Sequence, residues 1–146
     1  MAQYNELPVY KATYDLLLAI FQFTKDFSKE YKYTVGESLK KETIELLTLI
    51  YRANTRYQKS DVLQMAREQI EVIRLLIRVM KDMKQISLNK FVKINEAVEN
   101  VSKQLSGWQK SQAKSDRKAY STAIRLPTRY ANAGHGNRSQ ASRINC

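Results

Sequence analysis

Apolar residues recur at alternating steps of three and four along four stretches of the chain, and this spacing constrains the fold more than any other feature. A mean step near 3.5 residues is typical of helices that cross at about 20°, as in coiled coils and four-helix bundles. The third stretch follows the pattern without a fault, at Leu63, Ala66, Ile70, Ile73, Ile77 and Met80. The pattern therefore predicts an all-α protein.

Helix-start signals precede all four stretches. Proline suits the first helical turn, and serine or threonine side chains cap the free backbone amides at a helix start. Glu37 also stands at capping-box spacing from Thr34, although Gly36 lies between them. The four signals are Pro8, Thr34, Ser60 and Ser87. Because the connections are short, sequential helices should run antiparallel, so we predict an up-down-up-down four-helix bundle over residues 1–114.

Composition excludes several classes of protein. The 146 residues include only 6 Gly and Pro, too few for the tight turns of a sandwich or barrel. The longest apolar run covers residues 16–21, far short of the roughly 20 residues that span a membrane. The single cysteine, Cys146, excludes an internal disulfide framework. With no visible signal peptide, we expect a cytoplasmic protein without a membrane partner.

Positive charge is concentrated near the carboxyl terminus. The net charge is +11, and residues 109–146 contribute eight basic side chains against one acidic side chain, Asp116. Ser, Asn, Gly and Arg dominate this region, which carries too little apolar surface to fold by itself. We predict that residues 115–146 form a flexible basic tail. Such a tail binds a polyanion or, as the alternative, only increases solubility.

The sequence lacks the residues of a catalytic or metal centre. Its only histidine, His135, lies between two glycines in the predicted tail, so a rigid catalytic triad cannot be built around it. The Glu-x-x-His pairs of di-iron bundles are absent, and the glycines form no phosphate-binding loop. We therefore expect a protein that is not an enzyme and that needs no cofactor or metal.

Basic residues follow the apolar seam of the third helix. Arg67, Arg74 and Lys81 recur at intervals of seven, each directly after a core position. Rows of this kind bind phosphates, because each neutralised phosphate releases counterions. The alternative is a solvated helix flank, paired with Glu68 and Glu71. The predicted phosphate- or partner-binding residues are Arg67, Arg74, Arg78, Lys81 and Lys84, here called the basic strip, with Lys110, Lys114, Arg117 and Lys118 at the junction with the tail.

Aromatic and apolar residues exceed what one bundle seam requires. Several aromatic residues lie on the predicted seams, which favours packing over ligand contact: Tyr10, Tyr14, Tyr51, Tyr57 and Trp108. Three methionines are interpreted as packing filler rather than as a cofactor site: Met65, Met80 and Met83. Other apolar residues remain outside the seams: Tyr4, Val9, Phe23, Phe27 and Val92. Apolar surface of this extent usually marks an interface, so we expect a homo-oligomer.

Two segments resemble a known family. Residues 73–80 read Ile-Arg-Leu-Leu-Ile-Arg-Val-Met, and residues 105–108 read Leu-Ser-Gly-Trp. In these segments, and in helix order and loop placement over residues 8–113, the chain resembles the accessory variability determinant (Avd) proteins of diversity-generating retroelements. These belong to a wider group of bacterial four-helix-bundle proteins, some encoded within intervening sequences of large-subunit ribosomal RNA.

The resemblance implies a function. Avd proteins form a basic homopentameric barrel, bind nucleic acid with little sequence preference and associate with the reverse transcriptase of the element. That complex makes adenine-mutagenised complementary DNA from a template-repeat RNA in a bacterial host, and the accessory protein has no catalytic role. Two alternatives stay open: an intervening-sequence relative without a reverse transcriptase, and a helical adaptor that binds only protein.

Overall fold

The computed structural model of the protein describes residues 3–125. Residues 126–146, which make up most of the predicted tail, lie outside the described residues. The chain divides into two compact units, Met1–Lys110 and Ser111–Cys146.

Four long helices account for most of the described residues, which contain no strand. They are α1 (Pro8–Lys25), α2 (Val35–Thr55), α3 (Ser60–Asp82) and α4 (Leu88–Arg125). A short 3₁₀ helix, Tyr4–Glu6, precedes α1, and a one-turn helix, Lys29–Lys32, lies between α1 and α2. The prediction of an all-α helical bundle is confirmed.

The fourth helix is longer than predicted. It continues to Arg125, so residues 115–125, which we assigned to a flexible tail, are helical. Local side-chain bonds accompany this segment: Gln112 Nε2 donates to Asp116 Oδ1 at 3.0 Å, and the Thr122 hydroxyl donates to the Lys118 carbonyl at 3.0 Å. The segment has few apolar residues, and the sequence analysis took this for a sign of disorder. None of the described helices is long and apolar enough to cross a membrane.

All four predicted start signals lie at or beside a helix start, but two of the predicted side-chain caps do not form. Pro8 opens α1, and the Ser87 hydroxyl accepts a bond from the Lys90 amide at 3.3 Å. Ser60 is the first residue of α3 rather than its cap. The Thr34 hydroxyl donates to the Glu30 carbonyl at 2.7 Å, so the predicted capping box at the start of α2 does not form.

Gly36 lies where the chain packs most closely at the start of α2. A Cβ added there would lie 3.3 Å from the Tyr31 carbonyl oxygen and 3.6 Å from the Phe27 ring. The bare backbone therefore lets the segment between α1 and α2 rest on α2. Helix α1 ends at Lys25, so Phe27 and Tyr31 belong to this connecting segment.

All four helices contribute to one apolar core. Fully buried side chains from each helix meet there: Leu16, Ile20, Leu46, Ile50, Leu63, Ile70, Ile73, Ile77, Val98 and Leu105. The structure corrects the list of apolar residues expected to remain outside the core. Val9 and Phe27 are buried members of it, and Phe23 packs against it. The predicted seams of α3 and α4 are confirmed.

Three threonines are buried in this core, on α1 and α2. The Thr13 hydroxyl donates to the Val9 carbonyl and the Thr43 hydroxyl to the Leu39 carbonyl, both at 2.7 Å. The Thr24 hydroxyl donates to the Phe21 carbonyl at 3.2 Å. Because every one of these bonds closes within its own helix, no buried hydroxyl lacks a partner, which avoids the cost of burying an unpaired polar group.

Helix α3 ends in a Schellman motif that places Lys84 in the left-handed region. The φ angle of Lys84 is 61°. The Gln85 amide donates to the Met80 carbonyl and the Lys84 amide to the Lys81 carbonyl, both at 2.9 Å. Glycine is the usual residue at this position, because a Cβ strains the left-handed conformation.

Replacing Lys84 by glycine should therefore stabilise the protein, by about 1 kcal/mol, because the strain of the left-handed residue is removed. Urea unfolding at a fixed protein concentration measures this change. The Lys84→Ala variant is the control, since it loses the charge but keeps the Cβ, and it should gain almost nothing. Equal stability of the glycine and alanine variants would contradict the left-handed conformation of residue 84.

Candidate nucleic-acid interface

The basic strip lies on the side of α3 that meets α4. At its amino-terminal end, Arg67 Nη1 donates to Gln109 Oε1 at 2.6 Å, and Gln109 Nε2 donates to Gln64 Oε1 at 3.1 Å. A cavity of about 210 Å³ beside Arg67 is lined partly by Glu68 and Glu71. These carboxylates weaken the positive potential around Arg67, so Arg67 is a weaker candidate for phosphate contact than the sequence indicated.

Arg74 joins α3 to α4. Its Nη1 donates to Glu99 Oε1, and its Nε lies 3.2 Å from Glu71 Oε2. The Nε hydrogen has no hydrogen-bond partner, but Arg74 Nη2 donates to Glu71 Oε1 at 3.5 Å. Only 28% of the Arg74 side chain is exposed. Arg74 therefore acts first as a clamp between helices.

The surroundings of Arg74 hold it in the charged form. Burial alone would lower the pKa of its guanidinium, but the hydrogen bond to Glu99 and the charges of Glu71 and Glu99 raise that pKa above its ordinary value. The guanidinium therefore stays charged over the whole physiological pH range.

The remaining residues of the basic strip differ in solvent exposure and in the contacts that they make. Lys81 is half-buried, with its Nζ 4.7 Å from the centre of the Phe91 ring, a cation–π contact between α3 and α4. Arg78 and Lys84 are exposed, and neither forms an ion pair within the described part of the chain. The strip thus follows one flank of α3, and three of its cations are exposed: Arg67, Arg78 and Lys84. Of these, Arg67 is bonded to Gln109.

The four cations predicted at the junction with the tail are all exposed on α4. Lys110 belongs to the first compact unit, whereas Lys114, Arg117 and Lys118 belong to the second. None of the four forms an ion pair among residues 3–123, the range whose side chains the structure describes. These side chains are free to contact phosphates.

Within residues 3–123, no three of the His, Cys, Asp and Glu side chains are grouped so that they could hold a metal ion. The carboxylates near the strip instead face Arg74. A ligand that approached this side of the protein would therefore meet positive charge and exposed apolar side chains.

A family model described as bAvd-like matches residues 8–112. The chain belongs to the bAvd-like family. The matched range covers all of the helical core, and it confirms the resemblance drawn from residues 73–80 and 105–108. No curated protein matches the chain.

This bAvd-like protein exposes an apolar face that includes Tyr14 and Tyr51, both of which we had placed on predicted seams. Ring contacts bridge α1 and α2 on this side: the Tyr4 ring lies 5.2 Å from Tyr10 and 5.0 Å from Tyr51. Lys40 Nζ of α2 lies 5.0 Å from the Phe21 ring of α1. The residues exposed here form what we call the α1/α2 face: Tyr14, Leu18, Phe21, Ile44 and Tyr51.

A second apolar surface of the bAvd-like protein lies on α3. Its residues, here called the α3 face, are all more than two-fifths exposed: Met65, Val72, Leu75 and Met83. At 100° per residue Met65 and Val72 lie nearly opposite Arg74, and Leu75 lies about a quarter-turn from it. Met83 follows the last residue of α3. The sequence analysis took Met65 and Met83 for core filler, which was wrong, whereas Met80 is fully buried as predicted.

The sequence analysis also missed a group of cations near the end of α2. Arg52 and Arg56 are exposed, and Lys59 Nζ donates to the Ala53 and Arg56 carbonyls, both at 2.7 Å. Lys59 Nζ also lies 5.9 Å from the Trp108 ring, which packs against the core as predicted. The signal was present as three basic residues in eight, but no heptad spacing drew attention to it.

Proposed function

We propose that this bAvd-like protein is a non-enzymatic accessory subunit of a diversity-generating retroelement. In this proposal it binds RNA or DNA without strong sequence preference and associates with the reverse transcriptase of the element during mutagenic cDNA synthesis. The observation that carries the proposal is the family match over residues 8–112. The net charge of +11 and the exposed cations of α3 and α4 support it.

The proposal includes an up-down-up-down order of the helices. Contacts between α3 and α4 support antiparallel neighbours, because the residue number on one helix falls as that on the other rises. Arg67 meets Gln109, whereas Arg74, two turns later on α3, meets Glu99. The connection between these helices has only five residues, 83–87, which is typical of antiparallel neighbours.

Nucleic-acid binding in this proposal relies on backbone charge. The exposed cations that would contact phosphates are Arg78, Lys84, Lys110, Lys114, Arg117 and Lys118. No helix-turn-helix, zinc-finger or RNP motif appears in the sequence, so phosphate contacts would position the strand without selecting a sequence. Lys81 and Arg74 would act indirectly, by holding α3 against α4.

The proposed assembly is a ring of identical subunits, a homopentamer by analogy with Avd proteins. A closed ring is built from head-to-tail contacts, in which one surface of a subunit meets a different surface of the next. The α1/α2 face and the α3 face are two such surfaces, and both are apolar and exposed. Repetition of weak cationic sites around the ring would raise the affinity for one strand by effective concentration.

Binding to a mixed-sequence single-stranded RNA at several salt concentrations tests the proposal. We expect retention at physiological salt and a log–log salt slope of roughly −0.7 for each phosphate neutralised. A chain that ends at Arg125 keeps all of α4 but lacks Arg129, Arg138 and Arg143. It should therefore bind more weakly, with a slope flatter by up to about 2, and remain folded.

Association with the reverse transcriptase is tested separately. The full chain is co-expressed with the reverse transcriptase encoded beside it, and co-purification of the two proteins is measured. Binding of RNA together with recovery of the enzyme supports the accessory role. RNA binding without a neighbouring reverse-transcriptase gene, from a locus inside a ribosomal RNA gene, would favour the intervening-sequence relative. Failure to retain any RNA would overturn the proposal in favour of a protein-binding adaptor.

A further inference from the structure

Tyr57 is the most exposed large hydrophobic side chain of the described residues. It is 88% exposed, in the connection between α2 and α3. Our sequence analysis placed it on the apolar seam of the second helix, which was wrong because α2 ends at Thr55. Its ring makes no contact with another ring or with a cation of residues 3–123. Tyr57 therefore contributes little to the fold.

The backbone that carries Tyr57 is nevertheless fixed. The Arg56 amide donates to the Arg52 carbonyl at 3.1 Å, and Lys59 Nζ donates to the Arg56 carbonyl at 2.7 Å. The same ammonium group also holds the Ala53 carbonyl at the end of α2. Tyr57 thus extends into solvent from a short connection whose backbone is held by hydrogen bonds before and after it. Because this backbone is already fixed, a ligand that stacks on the ring would restrict the Tyr57 side chain but little of the main chain.

Two arginines without a carboxylate partner among the described residues precede Tyr57 in the chain. Arg52 and Arg56 are exposed and stand four residues apart, so their side chains share one side of the chain at about 6 Å spacing. Neither forms an ion pair with the described residues. The position of Arg52 in the last turn of α2 suits the helix dipole, but that stabilising role does not account for the neighbouring tyrosine.

Tyr33 provides a comparison within the same protein. It is 64% exposed and lies in the connection that precedes α2. Lys32 Nζ lies 6.0 Å from its ring, at the limit of a cation–π contact. Tyr33 has no pair of exposed arginines four residues apart in its connection. The combination at Tyr57 is therefore not a general property of the connections in this bundle.

We propose that Tyr57, with Arg52 and Arg56, forms a stacking site for an unpaired base of single-stranded nucleic acid. The inference rests on the proposed nucleic-acid function and deepens it by naming a base-contacting residue. Aromatic side chains beside cationic groups bind single strands in this way, because every base has a stacking face and every nucleotide has a phosphate. The site would accept any base, as expected for binding without sequence preference.

The test compares the affinity of full-length variants for a single-stranded oligonucleotide and for an abasic strand of equal length. Tyr57→Ala should weaken binding to the base-containing strand about fivefold or more and leave the salt slope unchanged. It should have little effect on the abasic strand, and Tyr57→Phe should bind like the wild type. Arg52→Gln and Arg56→Gln should flatten the slope by up to about 0.7 each.

Tyr33→Ala is the matched control and should bind both strands like the wild type. Equal losses of Tyr57→Ala on both strands, or no loss on either, would overturn the stacking site while leaving the proposed function intact. Loss of an acidic protein partner with unchanged strand binding would likewise reject it and assign the residue to a protein contact. If the wild-type chain bound neither strand, the proposed function itself would fail.

Discussion

Replacing Arg74 by glutamate is expected to destabilise the bundle by about 2–3 kcal/mol. The change removes the cation that joins Glu71 on α3 to Glu99 on α4 and puts a third carboxylate between them. Breaking a fully buried ion pair costs about 3–5 kcal/mol, and the value expected here is lower because part of the Arg74 side chain reaches solvent. Urea unfolding followed by circular dichroism measures the loss.

Arg78→Glu is the matched control, one turn further along the same helix. Arg78 is exposed and forms no ion pair within the described part of the chain, so its charge reversal should change stability by no more than about 0.5 kcal/mol. The same variant should reduce RNA affinity and flatten the salt slope. If the Arg74→Glu and Arg78→Glu variants had the same free energy of unfolding, the contacts of Arg74 with Glu71 and Glu99 would not stabilise the bundle.

Glutamate at Leu18 or at Leu75 is expected to reduce the assembly from a ring to free subunits of about 17.0 kDa. Leu18 belongs to the α1/α2 face and Leu75 to the α3 face, and a buried unpaired charge in either would oppose association. In a head-to-tail ring each face is used once per contact, so either change breaks every contact. Light scattering after size exclusion gives the mass.

Mixing the two variants distinguishes a ring from a symmetric dimer. The Leu18→Glu subunit keeps its α3 face and the Leu75→Glu subunit keeps its α1/α2 face, so an equimolar mixture should give dimers with one intact contact. Leu88→Glu, at an exposed apolar position at the start of α4 outside both faces, should leave the ring unchanged. Single variants that still assemble, or a mixture that stays monomeric, would contradict head-to-tail pairing through these faces.

The repeat of apolar residues was enough to predict the helical core. Leu63, Ile73 and Val98 fell on predicted seams and are fully buried, because a 3.5-residue repeat leaves a helix only one way to cover its apolar side. Helix ends were less predictable. The start of α2 depends on how closely Tyr31 approaches Gly36, and such tertiary contact is invisible in a capping pattern.

The candidate site was only partly predictable, because the sequence locates a charge but not its partners. Arg74 and Arg78 look alike in the heptad pattern, yet Glu99, which distinguishes them, lies 25 residues from Arg74 on another helix. The apolar faces were misassigned for a related reason. Tyr14 and Leu18 stand beside core positions on α1, and a wide stripe does not reveal where burial stops. The phosphate-binding role of the strip stays a prediction.

The contact between Lys59 and Trp108 gives the molecule an internal optical reporter. Trp108 is the only tryptophan of the chain, and the ammonium group 5.9 Å from its ring also holds the carbonyls that shape the connection before α3. Indole emission responds to nearby charge and to solvent. A ligand that shifts this connection should therefore change the intrinsic fluorescence, so events around Tyr57 can be followed in real time in the native chain without an attached dye.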